Sequence, residues 1–474
     1  MIPILSGNVA SAIGGGYEVA NSCRFNSGDS AYLSKTTGTA TNTDKCTISF
    51  WVKRGFKASG DHKIIANYTD TNNRAYILFA GDNYLQVFQK LGGSTTINLK
   101  TNRLFRDHSA WYNIIVAVDT SQGVSANRIK IYVNGVQETS FETATYPSQN
   151  ENFRINESSV SLNIGRKGED AEYFDGYLSE FVLLDGQTLT PTSFGEFDDD
   201  SPTIWKPKDV SGLTFGDNGF YLDFEDSGDL GDDESGNTND FTENNLTAVD
   251  QTTDTCTNNF ATMNPLIPDG SVTLAEGNLK VSSIGDNDWR AGTFGGSFKW
   301  YAECKINVAY DGSGGGICIG AISEDGLTEN NGGTFGMSLK NAKWYTNSND
   351  GKFQEGNGTN VTTGLTRAST NDIVGVACDG ANGRIYIHVN GTYLNSGDPV
   401  GGSGFIGGTT GYQGIWFPFS GSHLTKGQGS WNFGNAPFSI SSGNADANGY
   451  GNFEYAVPSG YLALCTKNLG SDGG

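Results

Sequence analysis

One octapeptide occurs twice in this chain. Arg128-Ile-Lys-Ile-Tyr-Val-Asn-Gly135 returns as Arg384-Ile-Tyr-Ile-His-Val-Asn-Gly391, with six of eight residues identical. Isoleucine and valine alternate with other residues, which is the period of a strand with one face in a core. Asn-Gly closes each copy. A two-residue hairpin turn asks both of its central residues for positive φ, and Asn and Gly supply it at least cost. Upstream of each copy lies another strand-like run ending in Asp, at 111–119 and 372–379. Strand, loop, strand and Asn-Gly turn therefore occur twice, and the repeat predicts two related β-sandwich domains.

The rest of the chain agrees. Helical periodicity is almost absent, while strand-like runs at 47–53, 75–81, 84–88, 174–184 and 300–308 are separated by Gly, Asn, Asp and Ser clusters. Glycine fills 66 of 474 positions, about twice the usual share, as a turn-rich chain requires. One short helix is expected after Leu189, with Thr190 as N-cap and Pro191 at its first position. Residues 300–308 alternate strictly. Trp300, Ala302, Cys304, Ile306 and Val308 face a core, and Tyr301, Glu303, Lys305 and Asn307 face water. Trp51 and Trp300 are read as core residues.

The expected class is all-β, with two tandem jelly-roll sandwiches over residues 21–197 and 269–440. Between them, 198–268 is an irregular acidic segment, too rich in apolar residues for a tether and expected to pack on a sandwich. Residues 1–20 are a candidate attachment segment, and 441–474 a C-terminal tail that docks.

Charge and cysteine usage exclude several classes. Fifty-two acids against 30 bases give a net charge of −22, a field that repels nucleic acid and anionic lipid. No apolar run approaches the length of a membrane span, so no membrane insertion is expected. The seven cysteines are scattered without a Cys-x-x-Cys pair and read as buried free thiols, which implies assembly in a reducing cytoplasm. Residues 1–20 lack the basic and apolar regions of a secretory signal.

Four groups of motifs carry a family resemblance. Ile48-Ser-Phe-Trp-Val-Lys53, the first hairpin, Ser161-Leu-Asn-Ile-Gly165 and Phe174-Asp-Gly-Tyr-Leu-Ser-Glu-Phe181 resemble laminin-G/concanavalin-A-like jelly rolls. The 372–379 strand, the second hairpin and Trp431-Asn-Phe-Gly-Asn-Ala-Pro-Phe438 resemble a SPRY-type sandwich. Leu222-Asp-Phe, Asp233-Glu-Ser-Gly-Asn-Thr-Asn-Asp-Phe241, Thr257-Asn-Asn-Phe-Ala-Thr-Met-Asn-Pro265 and the tail 459–469 are similar to segments in virion proteins of marine bacteriophages. The resemblance implies concanavalin A-like sandwiches in a virion protein assembled in the host cytoplasm. It further implies a tail fibre or fibre-like appendage, homo-oligomeric, that touches other virion proteins and a host-surface glycan or protein. The alternative is a capsid or tail decoration with a purely structural role.

Catalytic signatures are missing. Glu180 and Asp185 do not make the Glu-x-Asp-x-x-Glu strand of β-glucan hydrolases, and Glu180 reads as a solvated strand residue. His62, His108, His388 and His423 have no zinc-type spacing, and His388 reads as exposed. No Gly-x-Ser-x-Gly elbow occurs. An enzyme is not expected.

Two binding chemistries remain open. Counted from Asp223, the run 223–234 partly matches a calcium loop. Asp223, Glu225, Ser227 and Asp229 take its odd places and Glu234 the twelfth, against the reading of a solvated acidic turn. Trp289, the Trp344-Tyr345 pair and Trp416 lie beside Asn, Asp or Gln, as sugar-stacking aromatics do, against the reading of ordinary sheet residues.

Overall fold

The computed structural model describes residues 16–57, 59–168, 171–266, 272–282, 289–309, 316–329, 342–347, 351–356, 359–406, 414–423 and 427–471. The chain divides into two compact units at Thr257/Asn258.

Among the described residues of the first unit, two antiparallel sheets of eight strands face each other. The front sheet is centred on Lys45–Arg54, which pairs with Trp111–Asp119 on one side and Gly176–Asp185 on the other. The back sheet runs through Phe141–Thr145, Ser94–Leu104, Tyr84–Leu91, Asn73–Phe79, His62–Asp70, Ser161–Ile164, Tyr32–Thr36 and Thr242–Asn244. Their inner faces supply one core. Ile48, Phe50 and Val52 meet Ile65, Ile77, Val87 and Leu99, all fully buried. The acidic segment is part of this unit through Thr257: Phe220–Leu222 joins the front sheet on Gly176–Asp185, and Thr242–Asn244 extends the back sheet. After Leu189 the chain makes a single 3₁₀ turn, Pro191–Ser193. Residues 1–15 of the attachment segment lie outside the described residues. Val19, just beyond them, is buried with Trp51, Trp111 and Trp205.

The second unit pairs an eight-stranded with a six-stranded sheet among the described residues. Lys299–Val308 holds the place that Lys45–Arg54 holds in the first, with Ile373–Asp379 and then Arg384–Val389 beside it. The repeated hairpins match in detail. Asn134 and Asn390 both have φ of 48°, followed by Gly135 at 76° and Gly391 at 79°. In each, the Asn side-chain oxygen accepts from a backbone N–H of the preceding strand, Asn113 at 2.8 Å and Ile373 at 2.9 Å. An aromatic ring also packs on each glycine. A Cβ on Gly135 would stand 2.3 Å from the Trp205 ring, and one on Gly391 2.8 Å from the Tyr455 ring.

The wet face expected for 300–308 is not wet near its start. Trp300, Ala302, Cys304 and Ile306 are fully buried as expected, but Val308, expected in the core, is exposed at the strand's end, and Tyr301 and Glu303 are fully buried. The C-terminal tail covers them. Leu462–Ala463 pairs in parallel with Trp300 and Tyr301, and Phe453, Tyr461 and Cys465 pack around Tyr301. Glu303 fastens this cover, because its carboxylate accepts the backbone N–H groups of Glu454 at 3.0 Å and Tyr455 at 2.8 Å. His388, expected to be exposed, is 1% exposed for the same reason. Its Nδ1 accepts from the Gly391 N–H, so the ring proton sits on Nε2 and points to the Tyr301 hydroxyl 2.7 Å away. Tyr301 then donates to Glu303 at 3.0 Å.

Candidate functional site

In the back sheet of the first unit, His62–Asp70 and Asn73–Phe79 are buried on both faces over most of their length, with Ala66, Tyr68, Tyr76 and Leu78 in an apolar cluster on the outer side, whereas the next two strands alternate. Along Tyr84–Leu91, Leu85, Val87 and Gln89 are fully buried, whereas Tyr84, Gln86, Phe88 and Lys90 are half-exposed. Along Ser94–Leu104, Ile97 and Leu99 are fully buried, and Thr96, Asn98 and Lys100 are half-exposed. Antiparallel register then brings the outward residues together. Phe88 opposes Asn98 on one side and Tyr76 on the other, Gln86 opposes Lys100, and Arg74 opposes Lys90.

These groups are ordered by one another. The Tyr76 and Phe88 rings stack with centroids 6.0 Å apart. Gln86 donates to the Asn98 side-chain oxygen at 2.6 Å. The Lys100 ammonium lies 3.9 Å above the Tyr84 ring, and the Arg74 guanidinium 5.7 Å from that of Phe88. Lys100 also pairs at 2.8 Å with Glu142, whose side chain is 57% exposed. The result is a strip of flat rings, amides and cations on the outside of a rigid sheet. It can stack on apolar faces, exchange hydrogen bonds with hydroxyls and hold anions.

The residues singled out from sequence alone lie elsewhere. Trp289 is 2% exposed, and Trp344, Tyr345 and Trp416 are fully buried, so none is a surface platform. They sit in three strands of the six-stranded sheet of the second unit, with Gly316–Ser323 between the strands of Trp416 and Trp344. Trp344 and Tyr345 point to opposite faces of it, and burial of both means that both faces are covered. Trp344 and Trp289 join Phe419 in one apolar cluster. The Tyr345 hydroxyl is spent on the Thr366 carbonyl at 2.8 Å. All eight tryptophans of the chain are at most 2% exposed. The Asn- and Asp-rich flanks at 286–288, 348–350 and 411–413 lie outside the described residues.

The 223–234 loop does not gather its carboxylates. Asp223 caps the Glu225 N–H at 2.9 Å, and Asp229 caps that of Gly231 at 3.1 Å. Glu225, Ser227, Asp229 and Glu234 point to solvent. Burial raises the Asp223 carboxyl above its ordinary value, and the charge of Asp223 does the same to Glu234. Among the described residues, no three His, Cys, Asp or Glu side chains converge as a metal site needs.

Sequence reasoning missed the strip on the back sheet, although a signal exists. Tyr84 and Phe88 occupy the polar phase of an alternating strand, where an aromatic gains little from the core. The signal is weak, because alternation assigns two faces without saying which apolar-looking residue faces water.

No curated protein matches the chain. Among solved structures it is similar to domains LG4–5 of the mouse laminin alpha1 chain, at 12% identity over 86% of this chain and 85% of that one, with a TM-score of 0.28. It is similar to the SPRY domain of human HERC1, at 14% identity over 36% of this chain and 96% of that one, with a TM-score of 0.27. A heptameric SAP-like pentraxin from Limulus polyphemus gives 15% identity over 37% and 80%, with a TM-score of 0.26. Residues 26–193 match the model of the concanavalin A-like lectin/glucanases superfamily, so the first sandwich is a concanavalin A-like domain.

Proposed function

We propose that this chain is a non-catalytic glycan-binding protein whose binding surface is the outer face of the back sheet in the first sandwich. The observation that carries the reading is the strip of Tyr84, Gln86, Phe88 and Asn98, half-exposed and mutually ordered. Sugars present flat C–H faces that stack on aromatic rings and hydroxyls that need amide partners. A sheet supplies both at an inter-strand spacing of roughly 4.8 Å, and holds them without the entropy cost of ordering a loop. The concanavalin A-like frame supports the reading as an analogy of fold.

The biological setting we propose is a virion of a bacteriophage, in which the chain is a homo-oligomeric tail fibre or appendage component, assembled in the host cytoplasm and facing the host surface. Its support is the resemblance of the 222–265 segments and of the tail. One strip binds weakly, and repetition on a particle multiplies avidity. A second reading, decoration with a structural role alone, draws on the burial of every tryptophan, since these rings serve the cores.

A glycan panel probed with the intact protein and with the Tyr84→Ala/Phe88→Ala variant tests the first reading. Each stacked ring is worth about 0.5–1.5 kcal/mol, so the variant is expected to lose tenfold or more in affinity; its thermal midpoint falls because both rings pack on the Tyr76 and Leu78 cluster, and binding is compared well below that midpoint. A blank panel removes the glycan reading and leaves decoration. Absence of the chain from purified particles, by mass spectrometry, removes the virion setting.

A further inference from the structure

We infer that the ligand of this strip is an acidic polysaccharide, held by Arg74, Lys90 and Lys100. The inference rests on the glycan reading above and names its substrate class. Its starting point is a pairing that costs stability. Arg74 and Lys90 stand directly opposite each other on neighbouring strands, pointing to the same outer face. Like charges in that relation repel, and a sheet normally avoids them. Among the described residues, no carboxylate pairs with either one. An anion bound between them would turn the repulsion into attraction.

Lys100 adds a third charge at a distance. It opposes Gln86, four residues along the strand from Lys90, which is about 13 Å at the rise of an antiparallel strand. One small anion cannot bridge that span, whereas a polymer with an anionic group on successive sugars can. The cations are also placed in advance: Lys100 rests on Tyr84 at 3.9 Å and Arg74 beside Phe88 at 5.7 Å. Rings that a sugar would stack on thus hold the charges that its acidic substituent would meet. Glu142 does not block this, because an exposed ion pair contributes roughly 0–1 kcal/mol and yields to a better anion.

The rest of the chain sharpens the argument. With a net charge of −22, most of the surface repels a polyanion, so local cations on a neutral, aromatic sheet face decide where it docks. Carboxylates of uronic acids and sulfate esters share the needed chemistry, since both accept two parallel N–H bonds from a guanidinium.

Affinity electrophoresis of the intact protein through gels carrying polygalacturonate, dextran sulfate or neutral dextran tests this. Retardation is expected with one or both acidic polymers and not with the neutral one, and the better acidic polymer identifies the substituent. Arg74→Gln/Lys90→Gln should weaken that retardation tenfold or more while the thermal midpoint stays level or rises, because a repulsion has been removed. Equal retardation by neutral dextran, unchanged in this variant, overturns the acidic ligand and leaves glycan binding standing. Acidic binding that survives the variant places the site elsewhere and also overturns the inference. No retardation by any polymer, together with a blank glycan panel, removes the glycan reading itself.

Discussion

Glu180 adopts φ of 49° in the middle of the Gly176–Asp185 strand, where pairing with the central strand shifts register between Ser179 and Val182. The bulge aims its carboxyl into a buried pocket of hydroxyls. Tyr221 donates to it at 2.9 Å, and the Tyr17 hydroxyl lies 3.2 Å from that of Tyr221. Burial dominates and raises its pKa from 4.5 to about 8. Below pH 4.5 both folded and unfolded chains carry the proton, and stability is full. Between 4.5 and about 8 the unfolded chain loses it and the folded chain keeps it, so stability falls as pH rises, by a few kcal/mol at most, and levels off above. Glu180→Gln should flatten that slope and raise the urea midpoint at pH above 8, read by denaturation across pH. A slope that persists would assign it to another group. A solvated Glu180 was the natural reading of sequence, because its partner Tyr221 arrives from a strand not yet formed in any local window. Lys53 and Asp254 pose the opposite case: a buried pair 2.7 Å apart, with side chains 1% and 0% exposed. Asp254→Ala strands the ammonium and should cost about 3–5 kcal/mol, whereas Lys53→Met/Asp254→Leu should recover only part of it in the same denaturation assay, because the buried Trp111 indole N–H loses its acceptor in both.

The two Asn-Gly hairpins were legible because everything they need is local: alternation, a turn that tolerates positive φ, and an amide that reaches back to the preceding, directly paired strand. Asn134→Ala or Asn390→Ala loses one hydrogen bond and forces alanine to φ of 48°, together roughly 1–2 kcal/mol in a urea titration. Gly at either site should cost less, since it keeps the conformation. The covering of Tyr301, Glu303 and His388 was not legible, because the lid lies some 150 residues downstream of Tyr301 and alternation alone leaves that face to solvent. Glu303→Ala removes the acceptor of two tail N–H groups and of the Asn432 amide. Limited proteolysis should then cut within 441–461 well before any other described segment. Equal resistance in the variant would show that the apolar contacts of Phe453 and Tyr461 suffice.

The whole molecule follows the repeated hairpin, in that each copy anchors its own compact unit. Composition pointed to cysteines outside any disulfide, and all seven are buried thiols in no disulfide. A thermal scan should therefore be indifferent to added reductant. What composition could not convey is the allocation of aromatics. Tryptophan, the residue most suggestive of a sugar platform, went entirely into the cores, while the water-facing strip uses tyrosine and phenylalanine. That allocation has an optical consequence. Indole emission from this chain should be blue-shifted and hardly quenched by iodide, and should redden only on unfolding. A glycan titration followed by indole fluorescence would look silent even at saturation, so the ligand must be sought through tyrosine absorbance or heat.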